Sequence, residues 1–358
     1  MNQSPLHPIH AERGARLLPT DEARALLTYG DVPAEYAAAT MSWVVLDDTD
    51  RGAVLVQGED AATFLHGLLS NEVRDLPVGD HAPNLLLDSK GKVRHPFELV
   101  RCEESELHLS TEPGQAGALL EALDMYLFSE AVELLDVTDQ HAPITIAGPL
   151  AEEHLASLAS KSLPTEGSAT LDIAGLSVFA HRTSRAGLPA WKLDAGAKSA
   201  PLLWQALIDA GATPAGRIAL DSLRAEVCVA QPGEDIDENV YPQEARLESA
   251  FSLDKGCYIG QEVVAKIDTY GGLNKRLCLL RVDHDDPIAR GTRLHRQNPD
   301  TKEWRDLGVA TTWAYSFALD CSVILAFVKR KHQEPGTEFR LGDGPARAIL
   351  VELPARPA

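Results

Sequence analysis

The sequence predicts an α+β protein that ends in a small antiparallel β-barrel. Strand-like runs alternate with helix-like runs in two successive blocks, roughly residues 41–140 and 141–272. After residue 272 the chain has only short strand-like runs, separated by turns rich in Gly, Pro and Asp. The first pattern is typical of a mixed body of sheets and helices, and the second of a closed barrel. We therefore expect a tail (1–40), a body (41–272) and a C-terminal barrel (273–358).

Hydrophobic periodicity predicts the elements of the tail and the first block. The tail has little periodicity and one short predicted helix at 21–27. Two apolar runs around a turn at 47–52 predict a hairpin over 42–57. Asp60 is a typical helix N-cap, and apolar residues from Phe64 to Leu69 follow at helical spacing. The remaining predictions are strands at 84–87, 93–100 and 106–110, a helix from Pro113, and strands at 132–137 and 144–147.

The second block and the barrel follow from the same patterns. The block contains predicted helices at 150–158, 202–210 and 215–227, a hairpin over 171–181 and a strand at 191–193. A polar loop with two prolines covers 231–243, and Ile259, Val263 and Ile267 then mark a helix by their four-residue steps. The predicted barrel strands are 276–282, 292–296, 307–312, 322–328 and 346–351.

Composition excludes several classes of protein. The 358 residues include 33 Lys+Arg and 53 Asp+Glu, a net charge of −20, which argues against strong nonspecific binding of nucleic acid. The apolar runs are too short to span a membrane, and the N-terminus lacks the pattern of a signal peptide. Five widely spaced cysteines without a CxxC pair indicate free thiols rather than disulfides or a metal cage. We expect a cytoplasmic monomer without a metal.

The stretch KGCYIGQE at 255–262 is the most unusual part of the sequence. Cys257 lies between two glycines at the predicted start of a helix, where backbone N–H groups and the helix dipole favour an anion. Lys255 adds a positive charge nearby, so both effects would favour the reactive thiolate. The alternative is that Cys257 is a small buried apolar side chain, the usual state of a free cysteine.

This stretch resembles the signature of the YgfZ-type folate-binding proteins, a branch of the family of the glycine-cleavage T-protein (aminomethyltransferase). Neighbouring stretches agree with it, and LRAE at 223–226 resembles the family's LRxE helix. Near the N-terminus, FLHG and SNEV at 64–73 resemble the family's FLxGxxTNDV, and LLDSKGKV at 86–93 resembles the strand–turn–strand that follows it. The resemblance spans about residues 45–330.

The resemblance implies two ferredoxin-like parts around a central folate pocket, with tetrahydrofolate as the ligand. The T-protein's LRxE glutamate hydrogen-bonds the pterin, and Glu226 occupies that position. A carboxylate suits the role because it can accept two N–H bonds. The alternatives are an exposed glutamate at Glu226 and a surface ion pair at Arg224. The further residues implied in folate binding are Arg224, Asn71, Tyr258 and Gln261, with Cys257 and Lys255 as the catalytic pair.

One departure from the family pattern divides the functional hypotheses. Where the T-protein has the Asp needed for aminomethyl transfer, this sequence has His95 and Pro96, with Glu98 nearby. The YgfZ-type branch lacks that Asp and is associated with iron–sulfur enzymes, including those that modify tRNA. The first hypothesis is therefore a folate-binding accessory protein for iron–sulfur cluster assembly or repair, whose partners are iron–sulfur enzymes or assembly proteins. The second is a folate-dependent aminomethyl or methyl transferase that uses Glu98 or Asp88, and the third is a non-catalytic scaffold.

Overall fold

A computed structural model describes residues 4–18, 26–164 and 167–356. The chain forms two compact units. Unit 1 comprises Met1–Leu86, His95–Leu220 and Ala250–Ile259, and unit 2 comprises Leu87–Arg94, Asp221–Ser249 and Gly260–Ala358. The predicted helix at 21–27 lies largely outside the described residues, and its described end belongs to a strand, Leu26–Thr28.

The helices and strands are numbered here in chain order. The helices are α1 (His7–Glu12), α2 (Val32–Met41), α3 (Ala61–Leu68), α4 (Ala116–Asp124), α5 (Ala151–Leu158), α6 (Ala200–Asp209), α7 (Arg217–Glu226) and α8 (Gln261–Tyr270). The strands of unit 1 are β1 (Arg16–Leu17), β2 (Leu26–Thr28), β3 (Val44–Asp47), β4 (Gly52–Gln57), β5 (His81–Leu87), β6 (Val93–Glu103), β7 (Glu106–Thr111), β8 (Glu133–Asp136), β9 (Ile144–Ala147), β10 (Ser168–Ile173), β11 (Leu176–Arg185), β12 (Leu188–Asp194) and β13 (Thr213–Pro214), of which β5 and β6 extend into unit 2. The strands of unit 2 are β14 (Lys275–Val282), β15 (Arg293–Gln297), β16 (Trp304–Ser316), β17 (Cys321–Lys329), β18 (Glu338–Leu341) and β19 (Arg347–Leu350).

Sheet I of unit 1 has five strands in the order β5-β6-β7-β4-β8. Along β4 and β7, buried and less buried residues alternate, as expected of a sheet with one face on the core. Val54, Val56, Leu107 and Leu109 point into that core, where residues of α3 and α4 cover them. The helix periodicity that predicts α3 therefore reflects burial against this face of the sheet.

Sheet II has six strands in the order β10-β11-β12-β9-β3-β13, and it shows that the predicted hairpin over 42–57 is wrong. β3 pairs with β9 and β13 in sheet II, whereas β4 pairs with β7 and β8 in sheet I. Val44, Val45 and Leu46 are all buried on β3, while burial alternates along β4. A continuous apolar strand needs cover on both faces, which agrees with the position of β3 inside the sheet, between β9 and the edge strand β13.

The first forty residues differ from the predicted tail. Leu6 is fully buried in the core of sheet II, and α2 covers ten residues, Val32–Met41. The segment also has hydrogen bonds of its own, since Glu35 accepts one from the Thr28 hydroxyl and one from the N–H of Tyr29. The described part of the segment is therefore built into unit 1.

The C-terminal strands form a closed antiparallel barrel in the order β14-β17-β16-β15-β18-β19, as predicted. β18 was not predicted, because it has only four residues and two of them are charged. Phe339 and Leu341 on β18 nevertheless point into the barrel core. Residues 221–249 group with the barrel rather than with the predicted body. Within the described ranges, every helix is too short or too polar to cross a lipid bilayer.

Candidate functional site

The KGCYIGQE stretch (255–262) is a loop up to Gly260, and its last two residues, Gln261 and Glu262, begin α8. Cys257 lies four residues before Gln261 and is exposed, so the alternative of a buried apolar cysteine is wrong. The N-cap of α8 is Gly260, not Cys257, so the thiol lies farther from the helix start than predicted. Gly260 has φ 80°, and a Cβ there would lie 2.5 Å from the backbone oxygen of Asp88. This glycine is required by a close backbone approach within unit 2.

Lys255 holds the C-terminus of α3. Its Nζ donates hydrogen bonds to the backbone oxygens of His66 and Leu69, both at 2.6 Å. His66 Nε2 in turn lies 3.0 Å from the backbone oxygen of Lys255. A cation that binds the last carbonyl groups of a helix satisfies groups that the helix leaves unpaired. Lys255 is therefore a structural cap, and its predicted effect on the Cys257 thiol stays a prediction.

The amine of Lys255 should titrate near pH 8. Burial lowers the pKa of Lys255 from 10.5 to about 8, with Glu72 opposing that shift and Arg74 adding to it. Between those values the unfolded chain binds the proton and the folded chain does not, so the free energy of unfolding should rise as pH rises from about 8 to 10.5. Trace acetylation across pH, read by peptide mass spectrometry, measures the midpoint. Lys255→Arg identifies the signal, and a midpoint at the usual lysine value of about 10.4 would contradict the assignment.

Tyr258 and Asn71 have different surroundings within unit 1. Tyr258 is only 7% exposed, and its hydroxyl has no hydrogen-bond partner among the described residues. Burial also raises the pKa of Tyr258 to about 12, so this hydroxyl keeps its proton. Asn71 is used locally: Nδ2 donates to the backbone oxygen of Pro83, and Oδ1 accepts from the N–H of Glu72. Tyr258 therefore offers an unused buried polar group, whereas the Asn71 amide stabilises a turn.

Arg224 lies in unit 2 and is buried, so the alternative of a surface ion pair is wrong. A guanidinium has five N–H groups, and each has a partner here. Nε donates to Asp221, Nη1 to Asp235 and the backbone oxygen of Val229, and Nη2 to Glu234 and Thr312. Burial alone would lower the pKa of Arg224, but Asp221 and Asp235 outweigh it and raise that pKa. With every donor occupied, the arrangement favours a structural role over the implied folate contact.

Glu226 is fully buried in unit 2, so it is not the exposed helix glutamate of the alternative. Its Oε1 accepts hydrogen bonds from Ser316 Oγ at 2.7 Å and from the N–H of Ala318 at 3.1 Å. Both donors lie at the end of β16 and just after it, so Glu226 fixes that corner of the barrel. Gln261, also in unit 2, is the first residue of α8 and is partly exposed. Folate binding by these two residues stays a prediction.

Glu98 is the centre of a polar cluster between the two sheets of unit 1. Its Oε2 accepts a hydrogen bond from Lys192 Nζ, and its Oε1 accepts one from Thr183 Oγ1 at 2.8 Å. His181 Nε2 lies 3.7 Å from Oε2, and His81 Nε2 lies 3.9 Å from Oε1. We call these five residues the Glu98 cluster. Glu98 lies on β6 of sheet I, whereas Thr183, His181 and Lys192 lie on β11 and β12 of sheet II.

The cluster keeps Glu98 ionised. Burial alone would raise the pKa of the Glu98 carboxyl, but the charge of Lys192 and the contact with His181 hold that pKa well below its usual range. Burial lowers the pKa of His81, which favours a neutral ring there. Both ring nitrogens of His181 are buried and lack a hydrogen-bond partner in the described part of the chain. The cluster therefore combines one fixed charge pair with an imidazole, that of His181, whose hydrogen-bonding capacity is unused among the described residues.

Asp88 is the other carboxylate considered for transfer chemistry. Its oxygens accept hydrogen bonds that stabilise a turn. Its Oδ1 accepts the N–H groups of Lys90 and Lys92, both at 2.9 Å, and its Oδ2 accepts from Arg94 at 2.8 Å. Burial alone would raise the pKa of the Asp88 carboxyl, but these hydrogen bonds together lower it. Of the two carboxylates, the contacts favour Glu98 as a chemical group.

Sequence reasoning missed most of the Glu98 cluster. Of its five residues, the family pattern points to Glu98 alone. The available signal was Lys192 itself, a lysine within the buried run Ala190–Leu193 on β12. A charged residue is almost never fully buried without a partner, so this position indicates a hidden carboxylate.

Comparison with known proteins identifies the family. The model of the GCVT N-terminal domain matches residues 6–255, and that of the glycine cleavage T-protein C-terminal barrel domain matches residues 275–355. An aminomethyltransferase of Saccharopolyspora erythraea is 29% identical over 99% of this chain and 97% of its own length. One from Listeria monocytogenes is 24% identical, over 95% of this chain and 93% of its own.

The fold agrees with this match. The crystal structure of glycine cleavage system aminomethyltransferase T from Bartonella henselae aligns with a TM-score of 0.85 over 98% of this chain and 97% of that one, at 22% identity. The two-domain match covers most of the sequence, so this chain belongs to the GCVT family, with the family's α+β domain and C-terminal barrel. The narrower YgfZ-type assignment stays a prediction.

Proposed function

We propose that this protein binds tetrahydrofolate and transfers a one-carbon group carried by it, as an aminomethyl or methyl transferase. This proposal places the second hypothesis drawn from the sequence, folate-dependent transfer, ahead of the iron–sulfur accessory role. Relatives named aminomethyltransferase align along almost their whole length, at 97% and 93% of the two proteins described above. The models of both family domains match this chain, over residues 6–255 and 275–355.

Glu98 is the observation that carries the proposal. The resemblance puts His95 and Pro96 where the T-protein has its Asp, and Glu98 follows two residues after Pro96 on β6, so these two side chains lie on the same face of the strand. Its carboxylate is largely buried and paired with Lys192. A pKa held low makes Glu98 a weak proton acceptor, so the role that fits it is electrostatic: it would accept an N–H and stabilise positive charge on the transferred group.

The unused polar groups of unit 1 fit a reduced pterin. Asn84 Nδ2, the ring nitrogens of His181 and the Tyr258 hydroxyl are buried and lack hydrogen-bond partners within the described residues. A pterin ring presents both donors and acceptors along its edge, so amide, imidazole and phenol groups could each pair with it. Bound tetrahydrofolate supplies the nitrogen atoms that carry the one-carbon unit. In this chain, Glu98 and His181 would orient the ring, and Lys192 would hold Glu98 in its charged form.

Calorimetric titration with tetrahydrofolate under anaerobic conditions tests binding. We expect a saturable signal for the wild type and at least about a tenfold loss of affinity in Glu98→Gln, the scale of one charge-assisted hydrogen bond. Glu121→Gln, at an exposed position on α4, is the matched control and should bind like the wild type. Transfer is then measured with isotopically labelled methylene- or methyl-tetrahydrofolate. Folded protein that gives no heat would instead support the non-catalytic scaffold.

An iron–sulfur accessory role is the second candidate, and the exposed Cys257 is the observation that favours it. An exposed thiol can reach a partner protein, whereas one thiolate is too few to hold a cluster alone. Cys257→Ser in an iron–sulfur enzyme reporter separates the two functions. Loss of reporter activity with unchanged folate transfer would favour the accessory role, and full activity would remove the thiol from the mechanism.

A further inference from the structure

Two adjacent strands of sheet I bring together a thiol, a carboxylate and an imidazole away from the Glu98 cluster. Cys102 lies on β6, and Glu106 and His108 lie on β7. One ligand atom from each of these residues lies within 4.8 Å of the other two, and all three residues are partly buried. We propose that Cys102, Glu106 and His108 bind a divalent metal ion of the zinc class. The inference does not depend on the proposed function.

Strand geometry puts the three side chains on one face. Glu106 and His108 are two residues apart on β7 and so point the same way. Val100 pairs with His108, and Cys102 follows two residues later on the same face of β6. The pairing then shifts, with Glu103 instead of Cys102 opposite Glu106, so the strand contains an extra residue at this point. A bulge of this kind bends a strand locally and redirects its side chains.

The donors match zinc chemistry. Zinc binds Cys sulfur, His nitrogen and Glu oxygen at about 2.0–2.3 Å, so neighbouring ligand atoms in a tetrahedral site lie about 3.3–3.8 Å apart. Glu106 Oε1 and His108 Nε2 are already 3.2 Å apart, and the reach to Cys102 requires only a small closure. On binding, a metal–sulfur bond would form as the S–H bond breaks, and the proton would leave to solvent.

A histidine–carboxylate pair and an open groove adjoin the three donors. The ring of His141 lies 5.0 Å from that of His108, centre to centre, and His141 Nδ1 lies 2.6 Å from Asp194 Oδ2. A carboxylate fixes the orientation of a histidine ring, so Asp194 holds the His141 ring in place beside His108. Glu106 also borders an open groove of about 490 Å³, lined by Gln57, Ser105 and Glu133.

The sequence predicted no metal site because it has no paired cysteines and its histidines are scattered. The three donors instead meet across a hairpin, at positions 102, 106 and 108. Such spacing matches no common zinc motif, since each ligand comes from strand pairing rather than from a short loop.

Cobalt substitution of the full chain tests the site. The protein is stripped with a chelator and titrated with Co²⁺ alone, and then with Zn²⁺ in competition with a chromophoric chelator. We expect one Co²⁺ per chain with a near-ultraviolet thiolate-to-cobalt band, displaced by one Zn²⁺. Cys102→Ser should remove the band, and His108→Gln and Glu106→Gln should each weaken Zn²⁺ binding at least about tenfold.

Two other cysteines provide matched controls. Cys257 is exposed and Cys321 is partly exposed on β17 of unit 2, so Cys257→Ser and Cys321→Ser should keep the band. Zn²⁺ should raise the melting temperature of the wild type and both controls but not that of Cys102→Ser. A wild type that binds no Co²⁺, or a band that disappears only in Cys257→Ser, would overturn the proposal. Circular dichroism confirms that each variant is folded before it is titrated.

Discussion

Replacing Glu98 with glutamine is expected to lower the free energy of unfolding by about 3–5 kcal/mol. The change removes the partner of Lys192, which is only 8% exposed. An amide can accept a hydrogen bond from the ammonium, but it cannot neutralise the charge in this setting. The loss also extends to Thr183 and His181, whose contacts include the same carboxylate.

Urea denaturation followed by tryptophan fluorescence measures the change. Trp43, Trp191 and Trp204 are buried in the core of sheet II and report on unit 1. The double variant Glu98→Gln with Lys192→Met should recover much of the loss, since it removes the unpaired charge as well. A single variant within about 0.5 kcal/mol of the wild type would show that the pair does not stabilise the sheets.

The stability of the protein at acidic pH should reveal the contribution of the Glu98 carboxylate. Because the pKa of Glu98 is lowered in the folded state, its contribution is complete above the usual glutamate value and is lost as pH falls through the lowered one. Between these values the unfolded chain binds a proton that the folded chain does not, so stability decreases as the solution becomes more acidic. Glu98→Gln should lose less stability than the wild type between about pH 5 and pH 3.

Local patterns predicted α3 to α8 because each has an apolar face, whereas α1 and α2, within the predicted tail, were not predicted. The apolar spacing after Asp60 gave α3, and the spacing of Ile259, Val263 and Ile267 gave α8. Strand pairing was harder to predict from the sequence, since paired strands lie far apart along the chain. β3 was assigned to a hairpin with β4, yet its neighbours are β9 and β13. Turn residues between two apolar runs favour a hairpin, but they do not exclude a crossing from one sheet to the other.

Candidate residues were easier to find than their roles. Lys255 was chosen for its charge beside Cys257, but its ammonium binds carbonyl groups 189 and 186 positions away. Glu98 was noticed from the family pattern, whereas its partner Lys192 lies 94 positions away in another sheet. A motif records which residues occur together in sequence, while the role of a charged side chain depends on what the fold places around it.

Replacing Arg224 with lysine is expected to lower the free energy of unfolding by about 2–4 kcal/mol, within the range for disrupted buried ion pairs. Lysine keeps the charge but has three donors at one nitrogen, whereas Arg224 directs five N–H groups at five separate partners. The side chain of Asp235 is fully buried, so a weaker interaction with residue 224 leaves its negative charge poorly compensated. Arg224→Met should lower the free energy of unfolding further than Arg224→Lys, because it removes the charge that pairs with three carboxylates.

Two measurements separate this structural role from ligand binding. Hydrogen exchange should become faster in the loop around Gln231 and Asp235, because Arg224 and the Gln231 N–H both bind Oδ2 of Asp235. Arg281→Lys, at an exposed position on β14, is the control and should stay within about 0.5 kcal/mol of the wild type. If Arg224 is structural, Arg224→Lys that remains folded at low temperature should bind tetrahydrofolate as the wild type does. Unchanged stability with a loss of folate affinity would return Arg224 to the ligand site, since the five internal hydrogen bonds would then have little effect on folding.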